Sequence, residues 1–110
     1  MNTIEIDGQE YPIKYGLSAT KAVLGLVGGK DLKSASKLDG LPLDKWPDFV
    51  LAGLTNAAKI EKSDPPTRQK VEDALDADIS LFHAAMFAFG QDNTPKALPG
   101  EAVEGDAEGN

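Results

Sequence analysis

A chain of 110 residues supports one domain with a single modest core, and 41% hydrophobic content is that of a globular protein. A formal charge of −7 with no Lys/Arg cluster argues against nucleic-acid phosphates as a ligand, and the lack of cysteine excludes disulfides and thiolate metal sites and fits a reducing cytosol. No apolar run approaches the roughly 20 residues of a membrane span, and the opening MNTIEIDGQE has neither the basic nor the apolar region of a secretory signal.

The chain opens on a β-hairpin pattern. Ile4-Glu5-Ile6 alternates, Asp7-Gly8 is a turn dipeptide, and Tyr11-Pro12-Ile13-Lys14-Tyr15 alternates again. Pro12 has no N–H for a ladder, so that side of its strand belongs on an edge. Two strands alone are marginal in water and must lie against helices. After Gly16, Leu17-Ser18 reads as a hydrophobic staple and N-cap for a short helix. Ala19, Ala22, Val23, Leu26 and Val27 share one side of it, and Gly28-Gly29 stops it. Asp31–Leu38 has the composition of a second, weak helix.

The strongest amphipathic stretch is Asp44–Lys62, with Leu43-Asp44 as staple and N-cap and Pro47 in the first turn. Trp46, Phe49, Val50, Leu54, Ala57 and Ile60 fall in one arc, the face expected to be buried. Gly53 lies in the middle of that arc at a propensity cost of about 1 kcal/mol, which predicts a close approach by another element. Ser63-Asp64-Pro65-Pro66 ends this helix, and Thr67 N-caps the next, which runs through Val71, Ala74 and Leu75. Asp76-Ala77-Asp78 interrupts it, and Asp78 is placed to cap a last helix, Ile79–Phe89.

Beyond Gly90 the sequence QDNTPKALPGEAVEGDAEGN is rich in Gly, Pro and acid. It lacks the apolar groups to offset its ordering entropy, so residues 91–110 are expected to form a disordered acidic tail. The expected fold class is α+β: an N-terminal β-hairpin packed on a small bundle of about four to five helices within residues 1–90.

No catalytic constellation emerges. Ser18-Ala19-Thr20-Lys21 and Ser34-Ala35-Ser36-Lys37 match S-x-x-K, but the accompanying motifs of penicillin-recognising enzymes are missing. Gly28-Gly29-Lys30-Asp31 lacks the leading glycine spacing and the Mg-binding hydroxyl of a phosphate loop, and reads as a helix stop. Glu72, Asp73, Asp76 and Asp78 have neither the glycine nor the glutamate of an EF-hand, and read as a solvated face. The single histidine, His83, has no second imidazole or thiolate to share a metal and no nucleophile in its vicinity. No cofactor or metal is expected.

The last helix is apolar around most of its circumference. Ile79, Leu81, Phe82, Ala85, Met86, Ala88 and Phe89 fill a wide arc, while Phe87 lies off it between Ser80 and His83. Such a helix either sits at the centre of a core or meets a partner. Phe87, His83 and Met86 are the candidate partner-binding residues.

The opening IEIDGQEYPIKYGLSATKAVLGLVGG resembles the tail assembly chaperones of long-tailed phages, prophages and gene transfer agents. The matching residues are Ile4, Ile6, Asp7-Gly8, Tyr11-Pro12, Tyr15-Gly16-Leu17 and Val23, and Thr67–Asp76 resembles the family's final third. The likeness spans residues 3–90 and departs from the family pattern in the Phe-rich last helix and the polar stretch Asp31–Leu38. It implies a non-enzymatic assembly factor that coats the tape measure protein in the host cytoplasm, recruits tail tube subunits and is absent from the mature virion. It also implies possible self-association and, in many members, a longer frameshifted form. The competing classes are a virion structural protein, such as a head–tail connector or neck subunit, and a small acidic adaptor or inhibitor of a host protein.

Overall fold

The computed structural model describes residues 1–29, 37–38 and 40–93. An antiparallel hairpin, β1 (Asn2–Ile6) and β2 (Gln9–Ile13), leads into helix α1 (Leu17–Gly25). A 3₁₀ turn, Leu43–Lys45, runs directly into α2 (Trp46–Glu61), followed by α3 (Arg68–Ala77) and α4 (Ser80–Asp92). The fold is α+β, as the sequence patterns predict. The second helix expected over Asp31–Leu38 lies largely outside the described residues, as does everything beyond Asn93.

Asp7 and Gly8 both adopt positive φ, 55° and 78°, which matches the right-handed twist of the flanking strands. The register pairs Ile4 with Tyr11 and Asn2 with Ile13. This puts Ile4, Ile6 and Ile13 on a buried face and leaves Thr3, Glu5 and Glu10 exposed on the other. Pro12 stands opposite Thr3, on one of the two strands of a sheet in which both strands are edges.

Helix α2 is the hub of the fold, touching β2, α1, α3 and α4. Its Phe49, Val50, Gly53, Leu54 and Ala57 are buried, as the arc predicts. Ile60 is a correction. It is exposed, because it stands in the last turn just before Lys62 turns left-handed (φ 55°) and Ser63 N–H closes on Ala58 O at 2.9 Å. The start also differs from expectation. Lys45, not Asp44, holds the N-cap position, with no side-chain cap. The turn that begins after Pro42, where Lys45 N–H donates to Pro42 O at 2.9 Å, feeds the helix from a preceding coil and leaves Leu43 exposed rather than stapled.

Helix α1 begins two residues early, with extended Gly16 rather than Ser18 at the N-cap and Leu17 exposed in place of the expected staple. The preceding segment is anchored to α2: Lys14 N–H donates to Gly53 O at 3.1 Å and Asn56 Nδ2 to Lys14 O at 2.9 Å. That anchoring rotates the buried face to Ala19, Thr20, Val23 and Leu24, so Ala22 lies outside it. The α-helix ends at Gly25, before the expected Gly28-Gly29 stop, so Leu26 and Val27 lie in a turn of i→i+3 bonds that closes with Gly28 at φ 73° and Gly29 N–H on Leu24 O at 2.8 Å.

Thr67 caps α3 as expected, its Oγ1 accepting from Lys70 N–H at 3.2 Å. Asp78 Oδ1 accepts from both the Ser80 hydroxyl (2.7 Å) and the Ser80 N–H (3.0 Å) at the head of α4. Those two bonds, the side-chain one foremost, hold the Asp78 carboxyl below the usual carboxylate range.

Helix α4 continues past Gly90 to Asp92, and its end is fastened to the other terminus. Asp92 Oδ2 accepts from Tyr15 N–H at 2.8 Å, while Asn2 Nδ2 donates to Gln91 Oε1 at 3.0 Å. The buried Thr20 hydroxyl lies 3.2 Å from both Tyr15 O and Asn93 Oδ1, sharing its one proton between them. Gln91, Asp92 and Asn93 are therefore part of the packed body, and the expected tail does not begin at residue 91.

Candidate functional site

The buried side of α4 is aromatic and tightly used. Phe82 stacks on Trp46 with ring centroids 3.9 Å apart and planes 8° apart, and tilts against Phe49 at 5.3 Å. Phe89 meets Tyr15 edge-on at 5.4 Å. These rings, with Ala85 and Ala88, join α4 to the core shared by the hairpin and α2. Holding one side of the helix this firmly fixes what the other side presents.

Phe87 is 63% exposed on that outer side. His83, one turn before it, is also exposed, and its ring meets the Phe82 edge at a centroid distance of 6.2 Å. Met86 is half-buried and packs against the core, so it forms the shoulder between the two sides. The three residues expected to bind a partner thus lie on one helix within a single turn. His83 and Phe87 form the open surface, and Met86 contributes only its margin.

Ile79 corrects the expected arc. It is 56% exposed, because it precedes the first turn of α4 and lies beside the start of α2 rather than over the core. It continues the i, i+4, i+8 line of His83 and Phe87 toward a groove of about 400 Å³. Leu43, Trp46, Leu75 and Ile79 supply the apolar walls of this groove. Asp44, Glu72, Asp73 and Asp76 stand around it. Sequence reasoning missed the groove. Its one local signal is the placement of Leu43 and Ile79, large aliphatic residues beside element boundaries where covering neighbours run out.

A second groove, of about 420 Å³, runs between α1 and α2. Ala19, Ala22, Leu26, Leu51 and Ala52 line it, and both Asp48 and Lys59 border it. Among the described residues, no group of three or more His, Asp or Glu is gathered as a metal site, and no helix is long and apolar enough to cross a membrane. Two of the three acids of α3, Glu72 and Asp73, have partners on their own helix. Arg68 binds Asp48 at 2.9 Å and Glu72 at 3.1 Å, and the Gln69 amide donates to Asp73 at 3.0 Å.

No family model, characterised protein or solved structure matches this chain. The described residues present one exposed aromatic helix face and an acidic-rimmed apolar groove.

Proposed function

We propose that this protein is a non-enzymatic tail assembly chaperone of a long-tailed phage, prophage or gene transfer agent. In this reading it binds the tape measure protein in the host cytoplasm, keeps it soluble, recruits tail tube subunits and is left out of the mature virion. The observation that carries the reading is the 63% exposure of Phe87 beside His83 on a helix whose opposite side is locked into the core. An aromatic ring left in water on a rigid support retains roughly 1.5–3 kcal/mol of burial energy for an interface. A long helical partner offers apolar stripes for such a ring to cover, and mass action lets tube subunits displace a chaperone held by a small surface. The likeness of residues 3–90 to the chaperone family supports the same reading.

The test is co-expression with a tape measure protein from the genome that encodes this chain. The chaperone reading expects the tape measure protein to stay soluble only when this protein is present, and to co-purify with it. Purified particles should contain none of this protein. Its retention in particles, or no effect on the solubility of the tape measure protein, overturns the reading.

A further inference from the structure

The groove between the start of α2 and the α3–α4 junction has a charge and shape that select an occupant. Its apolar walls include two side chains that the fold leaves largely in water, Leu43 at 70% and Ile79 at 56% exposed. Trp46 and Leu75 are half-buried and give those walls a fixed base. Trp46 is held on both sides, by its stack on Phe82 and by its Nε1–H donating to Leu41 O at 3.0 Å. The groove holds about 400 Å³.

No Lys or Arg lines the groove among the described residues. The nearest guanidinium, Arg68, is committed to Asp48, to Glu72 and, through Nη2, to Asp44 O at 3.2 Å. It neutralises Glu72 and leaves Asp44, Asp73 and Asp76 with no ion pair among the described residues. An apolar cleft bordered by uncompensated carboxylates attracts a segment with the opposite arrangement.

We propose that this groove docks an amphipathic helical segment of a partner protein, one that carries an aliphatic stripe flanked by lysine or arginine. The aliphatic stripe covers Leu43, Trp46, Leu75 and Ile79, and the flanking cations meet Asp44, Asp73 and Asp76. Charge sets this occupant apart from the chain's own C-terminal stretch, where residues 94–110 hold four acids against one base, and from a second copy with a net charge of −7. The α1–α2 groove has no such selectivity, since Asp48 and Lys59 both border it. This groove is a different surface from the Phe87 face on which the chaperone reading rests.

The probe is an 18-residue helical peptide of leucine and lysine with a continuous leucine stripe, titrated into the full chain. Two comparators are the same peptide with glutamate for lysine and a scrambled order that breaks the stripe. Trp46, the only tryptophan, reports occupancy by fluorescence. Saturable binding with a Trp46 shift is expected for the lysine peptide, with both comparators weaker by about tenfold or more. Leu43→Ser with Ile79→Ser, and separately Asp73→Lys with Asp76→Lys, should each weaken it by about tenfold. All four residues are at the surface, so circular dichroism should report an unchanged fold. Glu5→Lys with Glu61→Lys, the same charge change elsewhere, should cost less than about threefold. Equal loss in that control, absence of a Trp46 shift, or equal binding of the scrambled peptide overturns the proposal. A change in the sedimentation coefficient of the unliganded protein on Leu43→Ser with Ile79→Ser also overturns it, because the groove would then be filled by a second copy. A failure of the tape measure experiment leaves this test unaffected.

Discussion

The Tyr15 ring lies so close to Gly53 that a Cβ on that glycine would come within 2.6 Å of Tyr15 Cζ. Ile13 Cγ1 approaches the same point to 2.7 Å. The ring cannot retreat easily. It is buried, stacked on Phe49 at 5.2 Å, and its hydroxyl donates to Phe49 O at 2.8 Å. The hairpin and the central helix therefore meet backbone to side chain at one residue, and only glycine leaves the space.

Gly53→Leu is accordingly expected to destabilise by roughly 1–3 kcal/mol through overpacking, against a helix-propensity gain of up to about 1 kcal/mol. Gly53→Ala should destabilise in the same direction by less. Thermal unfolding by circular dichroism measures both, and a rise in melting temperature for either would show open space where the structure places Tyr15.

Burial, and secondarily the Asp92 carboxylate, raise the Tyr15 phenol well above its ordinary value of about 10. The folded state then holds the proton more tightly than the unfolded chain does. This contribution is intact below pH about 10 and is lost as pH rises from there toward the folded value. Tyr15→Phe removes the hydrogen bond to Phe49 O and should cost about 0.5–1.5 kcal/mol at neutral pH. Above pH about 10 the melting temperature of the variant should fall less steeply than that of the wild type. Parallel curves would count against a buried, protonated Tyr15.

Asp92 closes the fold end to end, and the effect of shortening the chain depends on which side of it the cut falls. Removal of residues 94–110 should leave the melting temperature within about 2–3 °C, a change well under 1 kcal/mol for a domain this size. Truncation after Gly90 also removes the carboxylate on Tyr15 N–H and the Asn93 partner of Thr20. It should cost clearly more, and Asp92→Ala alone about 1–3 kcal/mol for the orphaned buried donor. Equal melting temperatures for the two truncations would contradict the contacts at the end of α4.

Phe82 and Phe87 differ by five positions on one helix and should respond oppositely. Phe82→Ser opens a cavity between Trp46 and Phe49 and buries a hydroxyl, at a cost of about 3–5 kcal/mol. Phe87→Ser removes an exposed ring and should change stability by less than about 0.5 kcal/mol. In co-purification with the tape measure protein the chaperone reading expects Phe87→Ser to weaken capture. Should Phe87→Ser unfold the protein as badly as Phe82→Ser, the outer face of α4 is not a free surface.

The elements that the sequence determined by itself are those with local causes. Asp7-Gly8 makes its turn because both residues tolerate positive φ, and Thr67 caps α3 because its hydroxyl reaches an N–H three residues on. Periodicity placed Phe49, Val50 and Leu54 on the buried side of α2 and set Phe87 apart from Phe82, since both follow from 100° per residue. Periodicity states which side chains share a face, but not how far along the helix a neighbour covers that face. For that reason Ile60 and Ile79, in arc but at the ends, are exposed, and the groove beside Ile79 was signalled only by large aliphatic residues next to element boundaries. The Tyr15–Asp92 bond joins residues 77 positions apart and extends α4 beyond a glycine that looked like its end. Gln91, Asp92 and Asn93 are polar residues in a polar stretch. Only the tertiary structure brings a buried N–H and a buried hydroxyl to them, and the cost of leaving those donors unpaired is what keeps the last turn in place.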